Sequence, residues 1–382
     1  MAEVSVQRYV KAGRVRYRAR VKHHGREVAT QVFDRKNDAL IWEQEQTRRL
    51  RLGEWIDPRR GRVPLRTVAD DWFASRHSVK RKTREADRAA WGSRIEARFG
   101  DAPVASITPA EIANWVGGLV SGGISPSTAS RYLATLRSIL AYAVADGRVS
   151  QNAAASVRAP TAGHVRREGQ FLTRDELDAL STACRGVYAD VVRVLGLAGL
   201  RWGELAGLQV GDRIAVPGPG FRLQRSVLAS SKGGELFVDT LKGKRSRTVP
   251  LVAELVPLVD AWTHDKQGSD WLFGAPRGGP LGEANWKRAV GWTAACQAIG
   301  RPTFRVHDLR HTCASLWLGA GADPKVVQRI LGHASAAMTM DLYGHLIDHN
   351  LWAAAEKLGG TTGAPTPVKG ENDKNADEAS GL

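Results

Sequence analysis

The stretch from Arg305 to His345 limits the possible folds of this chain more than any other. In R-V-H-D-L-R-H-T-C-A-S-L-W-L-G-A-G, His307, Arg310 and His311 stand at i, i+3 and i+4. On a helix that spacing puts all three on one face of a single turn. Leu309, Cys313, Leu316, Trp317 and Ala320 supply an apolar stripe, so the helix is predicted to pack into a core with its polar edge toward a cleft. Gly319 and Gly321 end it, and Pro324 opens the next helix at a position where proline is tolerated. That second segment reads on into L-G-H-A-S-A-A-M-T-M-D-L-Y-G-H, which adds His333 and Tyr343.

A chain of 382 residues has room for two or three domains around such a site. Its 55 lysines and arginines outnumber 39 acids, a net charge of +16, and neutralising phosphate is the commonest use of so large an excess. A membrane partner fits less well, because no apolar run reaches about 18 residues and the start, MAEVSVQRYV, lacks a secretory segment. A cytoplasmic protein, nucleoid-associated when bound to DNA, is expected. Cys184, Cys296 and Cys313 are odd in number and widely spaced, which predicts buried thiols and neither disulfides nor a zinc site. There is no G-x-x-x-x-G-K-[ST] loop of a nucleotide-driven motor.

Taken in order, residues 4–33 alternate with the period of strands, with turns at Ala12-Gly13 and His24-Gly25. Val15, Tyr17, Ala19 and Val21 point one way, and Arg16, Arg18, Arg20 and Lys22 point the other, a cationic row suited to phosphate or groove contacts. A helix capped at Asn37 or Asp38 completes a first domain over 1–57. Residues 64–158 are predicted to form four helices, the first capped by Thr67, with Arg131 and Arg137 flanking the apolar stripe of the last and the tryptophans in the core. The third domain, 171–358, opens with a capping box at Thr173 and Glu176, carries strands over 209–251 and is otherwise helical. The segment from Val216 to Gly234 is expected to be a long hairpin, and residues 359–382 a disordered tail. The fold class expected is therefore mixed α/β but mainly α: a three-stranded sheet plus helix, a helical domain, and a mostly helical domain with a small antiparallel sheet.

Five motifs, A-G-L-R-W-G-E-L, L-K-G-K-R-S-R-T-V-P-L, H-D-L-R-H-T, L-G-H-A-S and M-D-L-Y-G-H, occur in one order along 171–350. Together they resemble the active-site motifs of the tyrosine recombinases, the phage-integrase type of site-specific DNA recombinase. The preceding helical domain is similar to that family's core-binding domain, and the N-terminal sheet to the arm-binding domain of heterobivalent integrases. The resemblance implies six catalytic residues: Arg201, Lys242, His307, Arg310, His333 and Tyr343.

The residues also make chemical sense alone. Attack on a phosphodiester builds negative charge, which guanidinium forks on Arg201 and Arg310 would neutralise. Tyr343 is the nucleophile, and a phenol with a pKa of about 10 needs roughly 4 kcal/mol to ionise at neutral pH. His307 would take or relay its proton and His333 would hydrogen-bond the phosphate. Lys242 would protonate the leaving 5′-oxygen, with Lys244 its local rival. Glu204, three residues after Arg201, is expected to pair with it, and His311 to be secondary.

The resemblance implies a 3′-phosphotyrosyl intermediate formed without ATP, metal or other cofactor. It implies double-stranded attachment-site DNA as substrate, a homotetramer in the synaptic complex, and DNA-bending and directionality partners. A chromosome-dimer resolvase or topoisomerase-like enzyme would share the pocket, and a non-cleaving DNA-binding regulator would share the fold. The extra N-terminal sheet disfavours the first two, and the intact Arg201, Arg310 and Tyr343 the last.

Overall fold

The computed structural model describes residues 3–23, 26–52, 55–160, 170–231, 234–241 and 246–333. The chain divides into two compact units, Met1–Arg166 with Ser230–Gly233, and Arg167–Ala229 with Gly234–Leu382. It is mainly helical with small antiparallel sheets, as its sequence predicts. Among the described residues no helix is long and apolar enough to cross a membrane.

The first unit begins with strands β1 (Glu3–Lys11), β2 (Arg14–His23) and β3 (Arg26–Phe33) in that order. Lys11 pairs with Arg14 across a two-residue turn, and Ala12 and Gly13 both have positive φ, 50° and 76°. Such a turn matches the right-handed twist of its strands. Helix α1 (Lys36–Arg51) packs on β2, burying Ala19, Val21 and Ala39 completely. Its N-cap is Arg35, two to three residues ahead of the predicted cap, and it makes no side-chain capping bond. The row Arg16, Arg18, Arg20 and Lys22 lies on the opposite face of β2, where alternation puts it. Acids outside β2 meet this row: Arg20 lies 3.7 Å from Glu27 on β3 and Arg16 3.4 Å from Asp34 just past its end, while Arg18 stacks on Tyr9 of β1.

The helical part of this unit comprises α2 (Leu65–Ser75), α3 (Arg81–Ala90), a π-helical turn at Trp91–Ile95, α4 (Glu96–Phe99), α5 (Pro109–Ser121) and α6 (Pro126–Ala145). The run from α3 to α4 is the second of the four predicted helices, and Gly100 is its C-cap. The first starts earlier than predicted: Pro64 is its N-cap, leaving Thr67 inside the first turn. Thr108 and Ser125 cap α5 and α6, each followed by proline, whose missing N–H is harmless there. Leu65, Val68, Ile95, Phe99, Ile112, Leu136 and Ile139 form the core, with Trp72 and Trp91 buried among them.

The second unit contains α7 (Arg174–Ala183), α8 (Asp190–Ala198) and α9 (Trp202–Ala206). Strands β4 (Arg213–Ile214), β5 (Gly220–Leu223), β6 (Arg225–Ala229), β7 (Leu236–Thr240) and β8 (Arg247–Pro250) follow. They are succeeded by α10 (Leu255–Thr263), α11 (Glu283–Val290), α12 (Trp292–Ala298), α13 (Asp308–Gly319) and α14 (Pro324–Leu331). The capping box on α7 forms as predicted. The single long hairpin expected over 216–234 does not. Instead β4, β5 and β8 make one sheet, and β6 with β7 a separate ribbon, because Gln224 breaks the run and Phe221 with Leu223 turns into the core.

Candidate active site

Helices α8 and α14 each end on a glycine in the left-handed region, Gly199 at φ 65° and Gly332 at φ 64°. A residue of the predicted site follows each glycine closely: Arg201 after Gly199, His333 after Gly332. The Gly332 N–H donates to the Arg329 carbonyl and the His333 N–H to the Gln328 carbonyl, both at 3.2 Å. This terminal double bond fixes where His333 leaves the helix. Both glycines are also required by close approach. A Cβ on Gly199 would meet the Leu331 side chain at 2.7 Å and Cys313 Sγ at 2.8 Å, and one on Gly332 would meet Arg247 Nε at 2.9 Å.

Helix α13 brings the remaining residues to these ends. The polar edge predicted to look into a cleft is only partly open: Arg310 is 3% exposed, and Asp308, Leu309, Thr312, Cys313 and Ala314 are fully buried. Trp317 Nε1 donates to the Leu197 carbonyl at 3.0 Å, and Cys313 Sγ lies 3.2 Å from the same oxygen, locking α13 to α8. All three cysteines are buried, free thiols, and burial pushes Cys313 up to about 12.

Arg310 donates to the Gly199 carbonyl at 2.6 Å and to the Leu331 carbonyl. It thereby links the C-terminal ends of two helices, each carrying a partial negative charge of ~0.5. Burial, reinforced by Arg201, pushes its pKa down to about 9, which leaves it charged at neutral pH. Arg201 donates to Glu204 at 2.9 Å and to the Gly332 carbonyl at 3.3 Å, with its side chain 29% exposed.

Glu204 does pair with Arg201, and with a second cation that the sequence reading did not single out. Arg247 donates from both terminal nitrogens to its two oxygens, at 2.8 and 2.7 Å, and from Nε to the Ile330 carbonyl at 2.9 Å. Despite burial, Arg247 holds the Glu204 carboxyl down to about 2. The signal for Arg247 was available in the strand period: it is two residues before fully buried Val249 on β8, on the same face.

His307 sits at the exposed start of α13, His311 one turn on with the rings edge to face at 5.4 Å. All three site histidines are held in the neutral form. Desolvation and then Arg310 lower His307; desolvation and His307 bring His311 to about 4; desolvation, Arg310 and Arg201 bring His333 to about 4. Three guanidiniums thus face one carboxylate and uncharged imidazoles, leaving two net positive charges at a half-open surface. Such a group can accept a phosphodiester and stabilise the charge that builds on it.

Of the six predicted catalytic residues the structure brings together Arg201, His307, Arg310 and His333. Tyr343 and Lys242, with Lys244, lie outside the described residues, as does the predicted tail. Of the predicted DNA contacts in the helical part, Arg131 is exposed. Arg137 is instead engaged within the fold: it donates to the Ala154 carbonyl at 3.0 Å and the Val157 carbonyl at 2.8 Å, tying down the segment after α6. The period that put it beside the apolar stripe could not show that this segment returns over it.

Two family models match the chain: "Phage integrase family" over residues 170–349 and "Phage integrase central domain" over 65–160. The integrase of Mycobacterium phage D29 is 29% identical over 321 residues, covering 81% of this chain and 83% of that protein. Tyrosine recombinase XerC of Mycobacterium bovis (strain BCG / Pasteur 1173P2) is 30% identical over 270 residues, covering 66% of this chain and 83% of that protein. Among solved structures, Tn1549 transposon integrase in complex with transposon right end DNA matches with a TM-score of 0.65 at 19% identity, over 78% of this chain and 100% of that one. The lambda integrase tetramer bound to a Holliday junction gives 0.54 at 22% identity, over 88% and 94%.

Proposed function

The chain belongs to the phage integrase family of tyrosine recombinases and is a site-specific DNA recombinase; on that premise we propose how its residues divide the reaction. The observation that carries the reading is the convergence of Arg201 and Arg310 at the ends of α8 and α14, beside His307 and His333. The arginines hold the non-bridging oxygens of the scissile phosphate, and His333 adds a hydrogen bond. The Tyr343 oxygen attacks phosphorus, its proton passing to neutral His307. The bond to the 5′-oxygen breaks, and Lys242 protonates that oxygen as it leaves.

The product is a 3′-phosphotyrosyl ester. A 5′-hydroxyl from a second duplex then attacks the same phosphorus, giving its proton to Lys242, and Tyr343 takes back its proton from His307. Because the phosphotyrosyl ester retains the energy of the broken phosphodiester bond, the exchange needs neither ATP nor metal.

In this reading residues 1–57 grip arm sites, 64–158 grip core sites and 171–358 cut. Arg16, Arg18, Arg20, Lys22 and Arg131 serve as phosphate contacts. One chain held at two sites raises its effective concentration at both. Four copies act on two duplexes, with DNA-bending and directionality partners setting integration against excision. The integrase named from a mycobacteriophage and the tetramer named on a Holliday junction are consistent with this assembly.

The test is a supercoiled plasmid carrying the DNA that flanks the gene, incubated with protein in EDTA and then denatured. Wild type is expected to leave protein joined covalently to DNA, and Tyr343→Phe to bind without an adduct. Tight binding with no wild-type adduct, on a nicked trapping substrate as well, would favour a non-cleaving regulator.

A further inference from the structure

Three successive carbonyls at the end of α14 each accept from a different arginine: Ile330 from Arg247, Leu331 from Arg310 and Gly332 from Arg201. Two of these arginines share Glu204. Its Oε1 accepts from the Arg201 and Arg247 side chains at 2.9 and 2.8 Å, and its Oε2 from the Arg201 backbone N–H and Arg247 at 2.9 and 2.7 Å. All four acceptor positions of the carboxylate are therefore filled, two by each residue. Arg247 lies against Gly332, where a Cβ would stand 2.9–3.0 Å from its Nε, Cδ and Cζ.

Without Arg247, only the Arg201 backbone N–H would still hold Oε2, at 2.9 Å, and Glu204 would be free to turn toward the side chain of Arg201 and close a fork-to-fork pair. That pairing would neutralise Arg201 and turn its free edge away from a phosphate. We propose that Arg247 is a positioning residue for strand cleavage: by holding both oxygens of Glu204 it keeps Arg201 available to the scissile phosphate. It also ties β8 to the helix end that presents His333. One guanidinium thereby joins three stretches distant in sequence, those carrying Arg201, Arg247 and His333. The inference rests on the phosphoryl-transfer reading of this site.

Arg247 touches Glu204 and a backbone carbonyl, so its removal should change the rate of cleavage more than the hold on DNA. Lysine keeps the charge but cannot span two carboxylate oxygens and a carbonyl. The experiment compares wild type, Arg247→Lys, Arg247→Met and the double variant Arg247→Met with Glu204→Gln. It measures the rate of adduct formation at saturating nicked flanking DNA, the affinity for that DNA, and melting temperature with and without inorganic sulfate.

The expected result is a rate loss of about tenfold or more in both single variants with affinity nearly unchanged, and partial recovery in the double variant, where no carboxylate remains to capture Arg201. A wild-type rate in Arg247→Lys would overturn the proposal, leaving Arg247 as a source of field alone. Loss of rate and affinity in equal measure would overturn it in favour of a purely structural role. If wild type itself makes no adduct, the recombinase reading fails, and sulfate decides the inference separately. Weaker stabilisation of Arg247→Lys than of wild type supports it, and equal stabilisation overturns it.

Discussion

The two terminal nitrogens of Arg247 close on the two oxygens of Glu204 at 2.8 and 2.7 Å, across 43 positions of sequence. The carboxylate is 3% exposed, so this pair joins α9 to β8 inside the fold. A buried ion pair of this kind contributes little over an apolar alternative, but breaking one side of it is strongly destabilising. Its presence beside a cationic site points to a need for geometry.

Glu204→Gln should destabilise the protein by roughly 2–3 kcal/mol, since two partly buried guanidiniums lose their one buried counter-charge. The wild-type carboxyl sits at about 2 against an ordinary 4.5, a depressed acid whose contribution is complete above the higher value. Stability from this source should therefore fall as pH drops from about 4.5 toward about 2. Urea melts across that range should show the slope in wild type and a flatter curve in the variant.

The histidines act in a separate window. His311 and His333 are held at about 4, below an ordinary 6.5, so the unfolded chain binds the extra protons. Stability should rise with pH between about 4 and 6.5 and be lost on acidification through that window. Both rings are half-buried, and with solvent screening the loss should be on the order of 1–2 kcal/mol each. Imidazole proton shifts in NMR check this directly; titration of either ring near 6.5 would contradict it.

Gly332→Ala should lower stability by about 1–3 kcal/mol, from a positive φ and the encroachment on Arg247, and slow adduct formation with it. Gly319→Ala is the matched control. That glycine is the last residue of α13 with nothing near its Cβ position, so thermal melts should find it neutral or slightly stabilised.

Arg137 and Arg131 should separate by what they hold. Arg137→Ala should destabilise the helical part by about 1–3 kcal/mol, because the Ala154 and Val157 carbonyls lose their donors. Arg131→Ala should leave melting unchanged and reduce the salt dependence of DNA binding by about one counterion. Unfolding and salt-titrated binding on the same two proteins distinguish the roles.

Local chemistry made much of this legible in the sequence. Alternation in β2 assigned Ala19 and Val21 to one face, turn residues at Ala12 and Gly13 defined the first hairpin, and the Thr173–Glu176 pair marked a helix start. These features depend on a residue and its near neighbours. The contacts that require the glycines before Arg201 and His333 were not legible there.

What only the tertiary structure decided is which cation each group would face. Glu27 on β3 and Asp34 just past its end reach Arg20 and Arg16, and the segment after α6 returns to occupy Arg137. Arg247 meets Glu204 because β8 packs beside the end of α14. Charge pairing is long-ranged in sequence and short-ranged in space, so residue type and spacing named the chemistry of the site, and packing alone selected its partners.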